Sequence, residues 1–224
     1  MTRSAEFWNT VYDNDTAPWV IGQPQPAIVA LERQGAIRGR VLDPGAGAGE
    51  HTILLTRLGY DVTGLDLSPS AVDYARGNAE SQGVPQARFE VADALELGRR
   101  ADLAGDPAGS APVFDTVVDS ALFHVFGAEP ELRAAYVRSL GAVVKPGGVV
   151  HMLALSTAEP GIGPRIGAEV IRESFGAGWQ LESLEAARYR GRAGDATPEQ
   201  IGGLAVSPEG FADFAAWITR VRRL

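Results

Sequence analysis

The sequence predicts an α/β fold, a doubly wound seven-stranded sheet that is mostly parallel and ends in an antiparallel hairpin. Three observations carry that expectation. An apolar run, Val41-Leu42-Asp43, enters three alternate glycines, Gly45, Gly47 and Gly49, and leaves as a helical pattern from Glu50. After it, short apolar runs alternate with helical periods, as parallel strands joined by crossover helices do. The last two strand-like runs, residues 179–188 and 215–222, have no helical pattern between them and so read as a hairpin. At 224 residues, with 45% hydrophobic and 21% charged residues, the chain suits one domain with a sizeable core.

Residues 4–15 place Phe7, Trp8, Val11 and Tyr12 on one face of a short helix. A Pro/Gly-broken loop at 16–26 adds Trp19, and a helix from Gln25 to Gln34 stops at Gly35. These aromatics either pin the helix to the core or cover something flat, so residues 1–35 are expected to form an aromatic cap on a core of residues 36–224. Strands follow at 40–43 and 61–66, with a helix at 50–58 between them. Ser68 caps a helix over 70–81, with Pro69 at its favoured first position. A third strand at 88–91 leads into residues 98–113, whose glycines and prolines read as a flexible insertion. A fourth strand at 114–119 runs on into 120–126. A helix at 131–144, a turn at 145–148 and a strand at 149–156 come next. A Gly/Pro loop at 158–165 then precedes a helix reaching Phe175, and the glycine-rich stretch between the last two strands is either a loose excursion or a lid.

The glycine junction selects a ligand by elimination. A dinucleotide site wants a third glycine where Glu50 stands, and a phosphate-binding loop wants Lys-Ser/Thr where His51-Thr52 stands. Glu50 also sets a carboxylate at the helix N-terminus, which repels a phosphate at close range. A cation without phosphate fits better, and S-adenosylmethionine is such a ligand, with Asp43 and Glu50 favouring its positive end. Asp66 closes the second strand about 20 residues beyond the first glycine, where an acid holds ribose hydroxyls, although a helix cap would also use it. Asp93, at the end of the third strand, is placed to accept from an adenine amino group or simply to make a turn.

A net charge of −8 and a pI near 4.9 lack the basic surface of a sequence-independent nucleic-acid binder, which favours a small-molecule acceptor. Without cysteine there is no disulfide frame, thiolate nucleophile or Cys-based zinc site. The start carries no apolar signal core and no run approaches a membrane span, so a cytoplasmic location with no membrane partner is expected. The oligomeric state stays open.

Taken together, Asp43 to Gly49, Asp66 and Asp93-Ala94 resemble the motifs of class I S-adenosylmethionine-dependent methyltransferases, over essentially the whole chain. The resemblance implies a Rossmann-like sheet and cofactor contacts from Gly45, Ala46, Gly47 and Leu67 besides those acids. Phe7-Trp8, Tyr12, Pro18-Trp19, Ile21-Gly22, Pro24-Gln25-Pro26, residues 119–126 and the closing 217–223 are similar to small bacterial thiopurine and heterocycle methyltransferases. That likeness implies Tyr12 and Trp19 as cofactor covers, and Asp119 and Ser120 near the methionyl end. Ala46 departs from a common cysteine and Ala48 from a frequent threonine.

The expected reaction is methyl transfer to N, S or O of a small heteroaromatic molecule. A non-catalytic cofactor-binding partner, or an enzyme that uses the sulfonium for another reaction, is the alternative. His124, just past the fourth strand amid apolar residues, is the candidate base for a protonated acceptor; packing against backbone is the competing reading. Trp8 and Phe123 are candidates for the acceptor's apolar wall, and Arg165 for orienting an acidic acceptor. Ser120-Ala121-Leu122 after Asp119 lacks the Pro-Pro-aromatic motif of nucleobase amino-methylases, and the same loop lacks a second oxygen ligand for a metal.

Overall fold

The computed structural model describes residues 4–100, 103, 113–161, 163–194 and 196–224. Helices α1 (Ala5–Asp13) and α2 (Pro26–Arg33) precede the sheet. The Ser4 side chain accepts from the Phe7 amide at the start of α1, and Pro26 opens α2. Then come β1 (Arg40–Pro44), α3 (Glu50–Arg57), β2 (Asp61–Asp66), α4 (Pro69–Ser81) and β3 (Arg88–Val91). Ser68 caps α4 as expected, its hydroxyl accepting from the Ala71 amide. A 3-10 helix (Ala94–Arg99), β4 (Phe114–Ser120), a second 3-10 helix (Phe123–Phe126), α5 (Pro130–Val143), β5 (Val144–Leu155), α6 (Ala168–Ser174), β6 (Trp179–Arg192) and β7 (Phe211–Arg223) complete the order.

The strands form one seven-stranded sheet in the order β3-β2-β1-β4-β5-β7-β6. β1 to β5 are parallel, while β7 slots antiparallel between β5 and β6. Alternate residues of the central strands feed opposite faces. Leu42, Leu65, Val117 and Met152 pack with Tyr136 and Leu140 of α5 on one side. Val41, Val62, Val118 and Leu153 pack with Ile28 of α2 and Leu55 of α3 on the other. Strand order reverses between β1 and β4, so their C-terminal ends border the crevice where open α/β sheets take ligands.

Several boundaries differ from the sequence reading. The 145–148 turn is absorbed into β5, and both hairpin strands are longer than their apolar patterns, β6 running on to Arg192 and β7 starting at Phe211. The stretch between them makes turns, with Ile201 packed beside Ala193, Ala212 and Phe214. Most of the proposed insertion at 98–113 lies outside the described residues. Among the described residues, no helix is long and apolar enough to cross a membrane.

Candidate active site

Gly45, Gly47 and Gly49 all adopt positive φ, at +71°, +56° and +81°. Only glycine fits at Gly47 for a second reason, because a Cβ there would stand 2.6 Å from the Tyr12 hydroxyl oxygen. The loop is pinned from the neighbouring strand. The Ala46 amide donates to the Leu65 carbonyl at 2.7 Å, and the Gly47 amide donates to Asp66 Oδ2 at 3.0 Å. Asp66 Oδ1 accepts from the Ser68 amide at 2.9 Å, so one carboxylate joins the glycine loop to the start of α4. Each of its oxygens keeps further acceptor capacity.

Three more carboxyls are buried at this junction. Asp43 accepts from Thr52 Oγ1 at 2.8 Å, yet burial, reinforced by Asp119 and Glu50, pushes its pKa up to about 7. Asp119 accepts from the Tyr136 hydroxyl at 2.9 Å and from the Leu122 amide at 3.0 Å, and burial still raises it to about 6. Burial likewise raises Glu50 to about 6, against the pull of backbone amides including Gly22 and Ile21. Its Oε1 has no partner. Among the described residues no cationic side chain pairs with any of the three.

The N-terminal segment covers this loop. Trp19 Nε1 donates to the Tyr12 hydroxyl at 2.7 Å, and Trp8 meets Trp19 edge-on with centroids 5.5 Å apart. The segment is held to α3 by the Gln25 amide, which donates to His51 Nε2 at 3.1 Å. It is held to β6 by the Arg192 amide, which donates to the Pro18 carbonyl at 2.8 Å, and by the Gln25 side chain.

Between this segment and the sheet lies a cavity of about 420 Å³. Gly45, Gly47, Asp66, Leu67, Asp93, Ala94 and Ser120 line it, as do Trp8, Tyr12 and Trp19 of the N-terminal segment. Phe126, Leu155, Tyr189, Arg192 and Phe214 line it too. His124 faces the same space, with Nδ1 accepting from the Leu155 amide at 3.3 Å and burial lowering its pKa to about 4. The wall turns sharply at Ala121, whose φ of +73° is a strained conformation for a residue with a Cβ. The Asp119 carboxylate holds that turn through the two amides that follow it, of Leu122 and Phe123.

Comparison with known proteins gives this arrangement a family. Residues 41–148 match a family model described as a methyltransferase domain. The 2-heptyl-1-hydroxyquinolin-4(1H)-one methyltransferase of Mycobacteroides abscessus is 31% identical, over 92% of this chain and 88% of that protein. This chain belongs to the S-adenosylmethionine-dependent methyltransferases. A solved structure from work on the conversion of a disulfide bond into a thioacetal group during echinomycin biosynthesis is 36% identical, with a TM-score of 0.79, covering 98% of this chain and 92% of that one. A probable thiol methyltransferase of Arabidopsis thaliana is 28% identical, over 72% of this methyltransferase and 66% of its own length.

The residues present fit the methyltransferase cofactor. Acids without cationic partners suit its ammonium and sulfonium, Glu50 Oε1 and Ser120 Oγ are buried polar atoms without partners, and the Gly47 backbone is bare where a Cβ would close the cleft. Among the described residues, no three His, Asp or Glu side chains are grouped to hold a metal ion.

Most sequence-selected residues of the methyltransferase converge on the cavity, but not all. Phe123 is a correction: it is fully buried, stacked on Phe175 at 5.7 Å, because the 3-10 helix turns it into the core and leaves Phe126 to form the wall. Arg165 is another. Its Nη1 donates to the Glu159 carbonyl at 2.8 Å within its own loop, and its neighbour Pro164 lines the cavity in its place. Asp43, Ala46 and Asp119 are buried behind the cavity surface and do not line it. Asp93 lines it while Oδ1 also accepts from the Leu95 amide at 2.8 Å, so it makes the turn as well. Tyr189, Arg192 and Phe214 escaped sequence reading, and Gln25 entered it only as part of a family likeness, without a role. The alternation of Tyr189 and Gly191 with arginines at 188, 190 and 192 was a signal available for Tyr189.

Proposed function

We propose that this methyltransferase acts on oxygen, sulfur or nitrogen of a small, flat heteroaromatic acceptor, as a single cytoplasmic domain in which residues 1–35 form the cap. One observation carries the reading: the cavity beside the glycine loop is also lined by the aromatic rings of Phe126, Tyr189 and Phe214, a wall suited to a small, flat molecule. The names of the relatives, a hydroxyquinolinone and a thiol methyltransferase, agree with an acceptor of this class. When bound, S-adenosylmethionine supplies an electrophilic methyl group.

In this reading the chain's own work is alignment and exclusion of water. Asp66 accepts from the ribose hydroxyls, and Asp93 and Ala94 meet the adenine. Gly45, Ala46, Gly47 and Leu67 contribute backbone, while Ser120 stands at the methionyl end with the Asp43 and Asp119 carboxyls buried behind it. Tyr12 and Trp19 close over the cofactor, and Trp8 packs against the acceptor. Incubation with tritiated S-adenosylmethionine and a set of heteroaromatic N-oxides, phenols, thiols and ring nitrogens tests this, with 2-heptyl-1-hydroxyquinolin-4(1H)-one as the first probe. Labelled product from at least one class is expected. Formation of methylthioadenosine in place of S-adenosylhomocysteine would point to another reaction on the same cofactor.

A further inference from the structure

We propose that His124 is a hydrogen-bond donor that positions the acceptor through Nε2–H, and that the acceptor is therefore bound with a free lone pair, already deprotonated where it is acidic. This rests on the methyl-transfer reading above and names the form in which that site takes its substrate. The Leu155 amide has only a hydrogen to offer, and it points that hydrogen at His124 Nδ1 from 3.3 Å. A nitrogen that accepts cannot also carry a proton, so the neutral ring must carry its proton on Nε2. Nε2 has no partner among the described residues, and the ring lines the cavity, so this is the nitrogen an acceptor can reach.

A base needs the opposite arrangement. To take a proton from an acceptor, the nitrogen facing it must present a lone pair, which here would require moving the existing proton to Nδ1 and breaking the Leu155 bond. Protonating both nitrogens would set an N–H against the Leu155 N–H in a buried site. Burial alone already lowers the ring's pKa, to about 4, so the ring stays neutral across the working range. The 3-10 helix carrying His124 is fixed from below, because Asp119 binds the amides of Leu122 and Phe123 just ahead of it. The ring is thus a fixed donor whose natural partner is an oxyanion or a thiolate, which accepts this bond with one lone pair and keeps another for the methyl carbon. In the transfer itself the acceptor's lone pair forms the new bond to the methyl carbon, the carbon–sulfur bond breaks, and its electron pair stays on sulfur as a neutral thioether. No proton reaches the protein.

The tautomer can be read directly and without turnover. Nitrogen-15 histidine spectra of the ligand-free protein should show the His124 ring with Nε2 protonated and Nδ1 bare, unchanged between pH 5.5 and 8.5. An Nδ1-protonated ring, or a titration with its midpoint between pH 6 and 8, would overturn the proposal whether or not an acceptor is known. With the hydroxyquinolinone probe, kcat/KM should follow ionisation of the probe's own hydroxyl. His124→Gln, whose amide N–H reaches about as far as Nε2, should keep most activity, while His124→Asn should lose about tenfold to a hundredfold in kcat/KM. Equal loss in both variants, each confirmed folded by circular dichroism, would also overturn it.

Discussion

Asp66 shows how one side chain serves fold and ligand together. Its two oxygens already receive the Gly47 and Ser68 amides, so the carboxylate is oriented before any ribose arrives. Asp66→Asn replaces one acceptor oxygen by a donor facing a backbone N–H and removes the charge that strengthens a bond to a hydroxyl. S-adenosylhomocysteine affinity should fall by about 1.5–3 kcal/mol, roughly tenfold to a hundredfold, as measured by titration calorimetry. A change below twofold would remove Asp66 from the ribose site. This acid was legible in the sequence because its spacing from Gly45 follows from one strand–helix–strand unit. Phe123 was not, since the sequence shows an apolar run at 121–126 but not which member a 3-10 turn rotates toward the cavity. Arg165 failed for a related reason: a loop arginine has a carbonyl partner in its own loop, and no periodicity announces it.

Among the elements, the joint between cap and hairpin was the least legible. β1 to β4 and their helices followed from apolar runs and from glycine and proline punctuation, helped by the burial of β1, β2 and β4 on both faces. β6 is an edge strand with a half-exposed pattern, so its last turn toward the cavity, with Tyr189 and Gly191 buried among exposed arginines, looked like loop. The N-terminal segment covers part of that edge. Gln25, 2% exposed, donates from Nε2 to the Arg190 carbonyl at 2.8 Å and accepts the Arg190 amide at 2.9 Å, much as a next strand would. Gln25→Ala leaves both groups without that partner and should cost about 1–3 kcal/mol in denaturant unfolding. Because Tyr189 and Arg192 flank this bond and line the cavity, and the proposed acceptor packs there, the same change should raise acceptor KM more than cofactor KM. The reverse ranking would show that the clamp serves the glycine loop instead.

Across the whole molecule, the buried carboxyls couple cofactor, pH and stability. Burial raises Asp43 to about 7 and Asp119 and Glu50 to about 6. For a group whose folded pKa lies above its unfolded value, the stabilising contribution is complete below the unfolded pKa and is lost as pH rises through the folded one. These three groups therefore make the free protein less stable as pH climbs from about 4 to 7. A bound cation works the other way, favouring the ionised acids and lowering their pKa values. Cofactor binding should then release protons near pH 6.5, and affinity should rise with pH through that window. S-adenosylmethionine should gain more than S-adenosylhomocysteine, because only the former carries the sulfonium charge. Titration calorimetry in two buffers of different ionisation enthalpy measures the released protons, and scanning calorimetry between pH 5.5 and 8 measures the free protein's slope. Proton uptake on binding, or a free-protein Tm that climbs through this window, would mean that the acids are ionised before the cofactor enters and that the site holds its positive end by geometry alone.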